Sequence, residues 1–338
     1  MKKFTKLALV SSLAISANAM AMQAMDDASL GATTGQDGIN IGIGITKIEI
    51  EKLLIHDNDG LAANAKNTVN GTSVTGITAS GPTFAPSQVI SDKAIDGGTD
   101  TAGALVIKGN GVAGHVNQNA GIVITANNSA LLDSHNLADL QIDSDAGANG
   151  AFLNVAAQVS GLEINIGKIA VAASGTSTTG RRGSTGTEND ILTGLKITTG
   201  QMAANIQLGS TPQGAMIKLD TTMKGGLTIS DLGILDNAGG GQVTLGKISV
   251  NDAAGPDLTI SSDISVTQTG LSIKSNQNAA GTDIYVQGIN LGAAPAGTLG
   301  ARGTSRLGSI GDMEVQGLKT WSDGAYSHQG SIITVSGR

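Results

Sequence analysis

The chain has 338 residues, of which 49 are glycine, 14% are charged and 2% are aromatic, with no cysteine and a formal net charge of −7. The acidic balance excludes partners that select for clustered Lys and Arg, nucleic acid and anionic lipid surfaces among them. The lack of cysteine excludes disulfides, thiol chemistry and a lipid-anchored N-terminus, so packing and backbone pairing must carry stability.

In chain order, residues 1–21 read as a signal peptide: Lys2, Lys3 and Lys6 form a basic start, Leu7 to Ile15 an apolar stretch, and Ala19-Met20-Ala21 a small-x-small cleavage site. A bilayer span needs about 20 apolar residues, which this stretch does not reach. The expectation is export to the cell surface or the extracellular space, with the periplasm as the alternative and no membrane-spanning segment after cleavage. The removed segment holds three lysines and no acid, so the remainder is more acidic still. Residues 22–60 read as an N-terminal β segment, 61–151 as a loop-rich insertion, and 152–338 as the main β body. The insertion is polar and small, with Pro82, Pro86 and weak apolar pairs such as Leu105/Ile107 and Ile122/Ile124. The stretch Ser174 to Asn189 has no apolar residue and reads as an exposed hairpin tip.

The recurring unit is a pair of apolar pairs, Φ-x-Φ-x-x-Φ-x-Φ. It occurs at Ile43, Ile45, Ile48, Ile50; at Ile164, Ile166, Ile169, Val171; at Leu227, Ile229, Leu232, Ile234; at Val243, Leu245, Ile248, Val250; and at Ile284, Val286, Ile289, Leu291. At about 100° per residue these positions share no helical face. Within a pair the spacing of two is that of a strand. The x-x step throws the second pair onto the opposite face unless the chain bends or bulges there. Glycine stands at several of these steps, as in Gly167-Lys168, Gly246-Lys247 and Gln287-Gly288. The fold class expected is all-β: a β-solenoid or β-prism-like stack of short strands with glycine corners, with a β-sandwich as the alternative. A transmembrane barrel needs aromatic girdles that three Phe, two Tyr and one Trp cannot supply.

No residue pattern assembles a catalytic site. His56, His115, His135 and His328 lie in unrelated segments, no G-x-S-x-G occurs, and Gly239 to Gly241 lacks the lysine of a phosphate loop. The only metal that the spacing admits is calcium, at Asp57/Asp59 within Asp57-Asn58-Asp59-Gly60 and at Asp143/Asp145. Neither continues as a calcium loop, since the twelfth position from Asp57 is Thr68, and turn-forming Asp and Asn account for both. The expectation is therefore a non-enzymatic protein without a cofactor.

The segment Met22-Gln23-Ala24-Met25-Asp26-Asp27, then Leu30, then Thr34-Gly35-Gln36-Asp37-Gly38-Ile39, together with the run Gly308 to Leu318, resembles an exported γ-proteobacterial family that includes the pilus-system protein FilA. The resemblance implies a structural protein of a pilus, fimbria or similar surface appendage, partnered by other surface proteins or by itself, and it brings no catalytic residues. The competing expectation is a cell-adhesion module that uses the Ser/Thr/Asn-rich insertion as its contact surface.

Overall fold

A computed structural model describes residues 38–63, 68–69, 72–73, 97–177, 180–268, 270–293, 308–322 and 324–336. The expected signal peptide, the opening that precedes Gly38, and Pro82 and Pro86 lie outside them. The described residues are all-β, and every strand pair is antiparallel. The strands are best taken as eight long runs, each crossing two sheets. The first run is β1 (Ile39–Ile43), β2 (Lys47–Ile50) and β3 (Leu53–His56); the second is β6 (Gly103–Lys108), β7 (Ile122–Ala126) and β8 (Ala138–Asp145). The third is β9 (Phe152–Val159), β10 (Leu162–Ile166) and β11 (Lys168–Ser174), and the fourth β12 (Ser184–Leu192), β13 (Leu195–Thr198) and β14 (Met202–Gly209). Next come β15 (Ile217–Met223) with β16 (Leu227–Asp236), and β17 (Gly241–Asp252) with β18 (Leu258–Thr267). The last two runs are β19 (Gly270–Asn276) with β20 (Thr282–Gly292), and β21 (Gly311–Leu318) with β22 (Gly330–Val335). A separate two-stranded ladder joins β4 (Thr68–Val69) and β5 (Thr72–Ser73).

Each run pairs with the runs before and after it in sequence. An 8-stranded sheet takes one strand from every run, in the order β1-β8-β9-β14-β15-β18-β19-β22, and a 12-stranded sheet takes the rest. The result is a sequential meander, and its described strands form neither a closed barrel nor a solenoid. Within the stretch 61–151, β6, β7 and β8 pair on both sides, with β3 and β11, β2 and β10, and β1 and β9. That part is built into the sheets rather than projecting from them. Similarly, the polar stretch 174–189 is strand at both ends, because Ser174 closes β11 and Ser184 opens β12.

Branched apolar residues line up from run to run, which is why these segments are strands. In the 8-stranded sheet one row reads Ile39, Ile142, Val155, Ile206, Ile217, Ile264, Ile273, Ile333. In the 12-stranded sheet another reads Ile48, Ile124, Ile164, Ile197, Ile229, Ile248, Val286, Met313. A third, beyond the x-x steps, reads Leu53, Ile107, Ile169, Leu192, Ile234, Val243, Leu291. The x-x steps themselves align: Ser230, Lys247 and Gln287 stand opposite one another. They form a crease across the sheet, with Asp231 at φ 62 and Gly288 at φ 70. At Gly167 the reason for glycine is proximity, since a Cβ would lie 2.2 Å from the carbonyl oxygen of Lys108.

The register runs through the crease without a shift between β16, β17 and β20, so the second apolar pair does change sides. Ile234, Val243 and Leu291 are exposed, while their neighbours Gly233, Thr244 and Asn290 form a buried row. A column of Ile164, Ile166, Ile169 and Val171 packed on one side is therefore not what forms: Val171 is exposed. The dense cluster is instead small, with Ala104, Val106 and Ala170 fully or nearly buried and Leu54 and Ala172 against them. Where the runs pass from one sheet to the other, buried polar side chains hold the corner. Ser160 Oγ donates to the Asn136 carbonyl (2.7 Å) and accepts from the Leu132 N–H (3.0 Å). Thr199 Oγ1 accepts from the Leu162 N–H (2.9 Å), and Asp252 Oδ2 accepts from the Thr259 N–H (2.9 Å) and hydroxyl (2.6 Å).

Candidate functional site

The four aspartates that spacing nominates for calcium fall into two separate places. Asp57 and Asp59 follow β3 at the outer end of the 12-stranded sheet; Asp143 and Asp145 sit on β8 in the other sheet. Asp57 Oδ1 caps the Asn58 N–H (2.8 Å), and a hydrogen bond with Asp59 holds its carboxyl below the ordinary value. Asp143 takes a hydrogen bond from Gln141 (3.2 Å), and Asp145 closes a turn by accepting the Gly147 N–H (2.6 Å). Among the described residues no three His, Cys, Asp or Glu gather as a metal site. His56 meets the Ser174 hydroxyl (2.7 Å) and His135 the Asp133 carbonyl (3.0 Å).

The structure brings together a different set at the crease. Asn110, His115, Asn117, Asn165, Lys196 and Asp231 line a cavity of about 50 Å³ between the loop after β6 and the steps in β10, β13 and β16. Asn117 is 1% exposed, and its Nδ2 donates to the carbonyls of Ala120 (3.1 Å) and Asn165 (3.0 Å). That fixes the amide, leaving Oδ1 buried without a partner, as is Oδ1 of Asp231. His115 Nδ1 accepts from Asn110 Nδ2 (2.7 Å) and the Asn117 N–H (3.1 Å), so its proton sits on Nε2. Burial lowers the His115 pKa, against the pull of the Asp231 carboxylate. An imidazole in this tautomer donates through Nε2 and is not a metal ligand there. The volume matches one or two waters, and the set as a whole is a polar joint in the fold. Sequence reading passes over it because its members are dispersed amides, and only the register brings them together.

The other unusual feature is the pair of outer edges of the 8-stranded sheet. β1 (INIGI) pairs only with β8, and β22 (SIITV within it) only with β19, among the described strands. Neither strand holds a charge or a proline, and both ladders run without a bulge. Ile39 is 60% exposed, Ile332 51% and Ile333 52%. Charges, prolines and bulges are the usual means by which a sheet edge is kept from pairing. The 12-stranded sheet uses them on β2, which carries Lys47 and Glu49 paired to each other, and on β21, which carries Asp312 and Glu314 on a ladder with two register shifts. It does not use them on its third edge strand β3, where Leu53 and Ile55 are exposed on an unshifted ladder.

A comparison with protein-family models matches residues 1–203 to a family of unknown function, DUF6160. No curated protein and no solved structure matches the chain. The matched region is more than half the sequence and takes in the first three runs with most of the fourth. On that match the chain belongs to the DUF6160 family.

Proposed function

We propose that the protein is a non-enzymatic, exported structural component of a bacterial surface appendage of the pilus or fimbria type, and that it acts by adding its sheet to other subunits. The observation that carries this reading is the edge pair β1 and β22, each joined to a neighbouring strand on one side only among the described residues and each without charge, proline or bulge. The resemblance of the N-terminal and 308–318 segments to pilus-system proteins supports it, as does the basic and apolar start of the chain, which suits export. The glycine steps at the crease support the finer architecture proposed, a prism-like stack of bent runs. The test is deletion of Ser331 to Arg338. The shortened protein should keep its β content by circular dichroism and lose its place in surface material recovered from cells. Surface assembly equal to that of the full chain would show that β22 is ordinary sheet, and the reading would fail.

A further inference from the structure

We propose that the partner at these edges is a second copy of the same chain, docked head to tail so that β22 of one copy pairs with β1 of the next. This rests on the edge-addition reading above and specifies its partner, polarity and register. Three observations carry it. First, polarity: the first run passes from the 8-stranded into the 12-stranded sheet and the eighth passes back. An added copy therefore places β1 antiparallel to β22, as at every other junction of the sheet. Second, register: the apolar row that starts at Ile39 and ends at Ile333 continues unbroken across the junction when these two residues face each other. In that register Asn40 faces Ile332 and Ile41 faces Ser331. In the second sheet the row ending at Met313 meets Ile48, which brings Glu314 opposite Lys47 and Asp312 opposite Glu49, one complementary pair and one like-charged pair, so this sheet gives the join no net charge advantage. Third, contrast: protective features are present on β2 and β21 and missing from β1, β22 and β3, and of these three only β1 and β22 form the two opposite edges of one sheet among the described strands, so the copies join through the 8-stranded sheet. Because the two edges differ, the contact is heterologous and does not close on itself as a twofold dimer does; repeated, it makes an open filament.

The chain has no cysteine, so introduced thiols report the contact without background. Full-length Asn40→Cys and Ile332→Cys variants are purified separately, checked for unchanged thermal midpoints, then mixed and mildly oxidised. Directly opposed residues of an antiparallel pair lie within disulfide reach. Linked dimer should form in the mixture and not in either variant alone, and the double variant Asn40→Cys/Ile332→Cys should give a ladder of higher species. Linked dimer from Ile332→Cys alone would replace the head-to-tail contact with a twofold β22 to β22 contact and overturn the proposal. No linkage in any sample would also overturn it. In that case a loss of surface assembly on deleting Ser331 to Arg338 leaves edge addition to a different protein standing, whereas no loss removes both readings.

Discussion

Asp231 bears two costs at one position: a left-handed backbone (φ 62) in the middle of a strand and a buried carboxylate oxygen without a hydrogen-bond partner. Glycine relieves both, because it adopts positive φ without strain and removes the carboxylate. Asp231→Gly is therefore expected to raise stability by about 1 kcal/mol, read as a higher urea midpoint. A lower midpoint would mean that the carboxylate is engaged with His115 strongly enough to outweigh its burial. Asn117 is the opposite case. Its amide satisfies carbonyls on its own loop and on β10, so Asn117→Leu leaves them buried and unpaired and should cost about 2 kcal/mol. Thermal melts of the two variants moving in opposite directions would separate a strained residue from a clamping one at the same joint.

At the scale of the strand, β12 lays Glu188 and Asp190 among three lysines from its neighbours. Lys108 reaches both acids (3.0 and 2.9 Å), Lys52 reaches Glu188 (3.0 Å) and Lys168 reaches Asp190 (2.8 Å). Hydrogen bonds from Lys108 and Lys52 lower the Glu188 pKa from 4.5 to about 2; burial works against Asp190, yet Lys168 and Lys108 still hold it low. A depressed folded value means the stabilisation is complete above the unfolded value and is lost as pH falls from there toward 2. Glu188→Gln should flatten the stability profile over that acid range and leave its slope near neutrality unchanged. Lys168→Glu sets a third carboxylate beside the other two, and a loss of roughly 1 to 2 kcal/mol is expected, partly restored by salt.

The sequence pattern alone makes Lys168 a solvent-side residue whose reversal is silent, since apolar spacing says which residues alternate but not which charges meet across strands. The same limit runs through the fold. The paired spacing in Leu227 to Ile234 and Ile284 to Leu291 identifies strands and locates the crease, because those are local properties. That Ile234, Val243 and Leu291 emerge on the exposed side follows from an unshifted register, which is a property of three strands together. The joint at Asn117 and Asp231 depends on residues more than a hundred positions apart. The aspartates at 57 and 145, by contrast, were legible as turn formers, and that is the part they play, whereas Asp143 is a strand residue of β8 that takes a hydrogen bond from Gln141.

For the molecule as a whole, an even number of runs is what makes its two edges compatible. Removing the eighth run, from residue 293 onward, leaves β19 and β20 as the new edge. That edge runs in the same direction as the first run, so the truncated chain should stay folded by circular dichroism yet fail to link in the cysteine assay with a thiol moved to β19. Removing the seventh run as well restores the antiparallel relation and should restore linkage. Because each run pairs only with its chain neighbours, no pairing waits for the far terminus to arrive. Most closures between runs cross short turns such as 146–151, 210–216 and 237–240, whereas the first two runs are joined across 57–102. Loop closure costs little when the loop is short, and rates follow the mean separation of contacts. The expected order of folding is growth by one hairpin at a time, with the joining of the first run to the second as its slowest step, and shortening the 57–102 connection should speed refolding more than shortening any other turn.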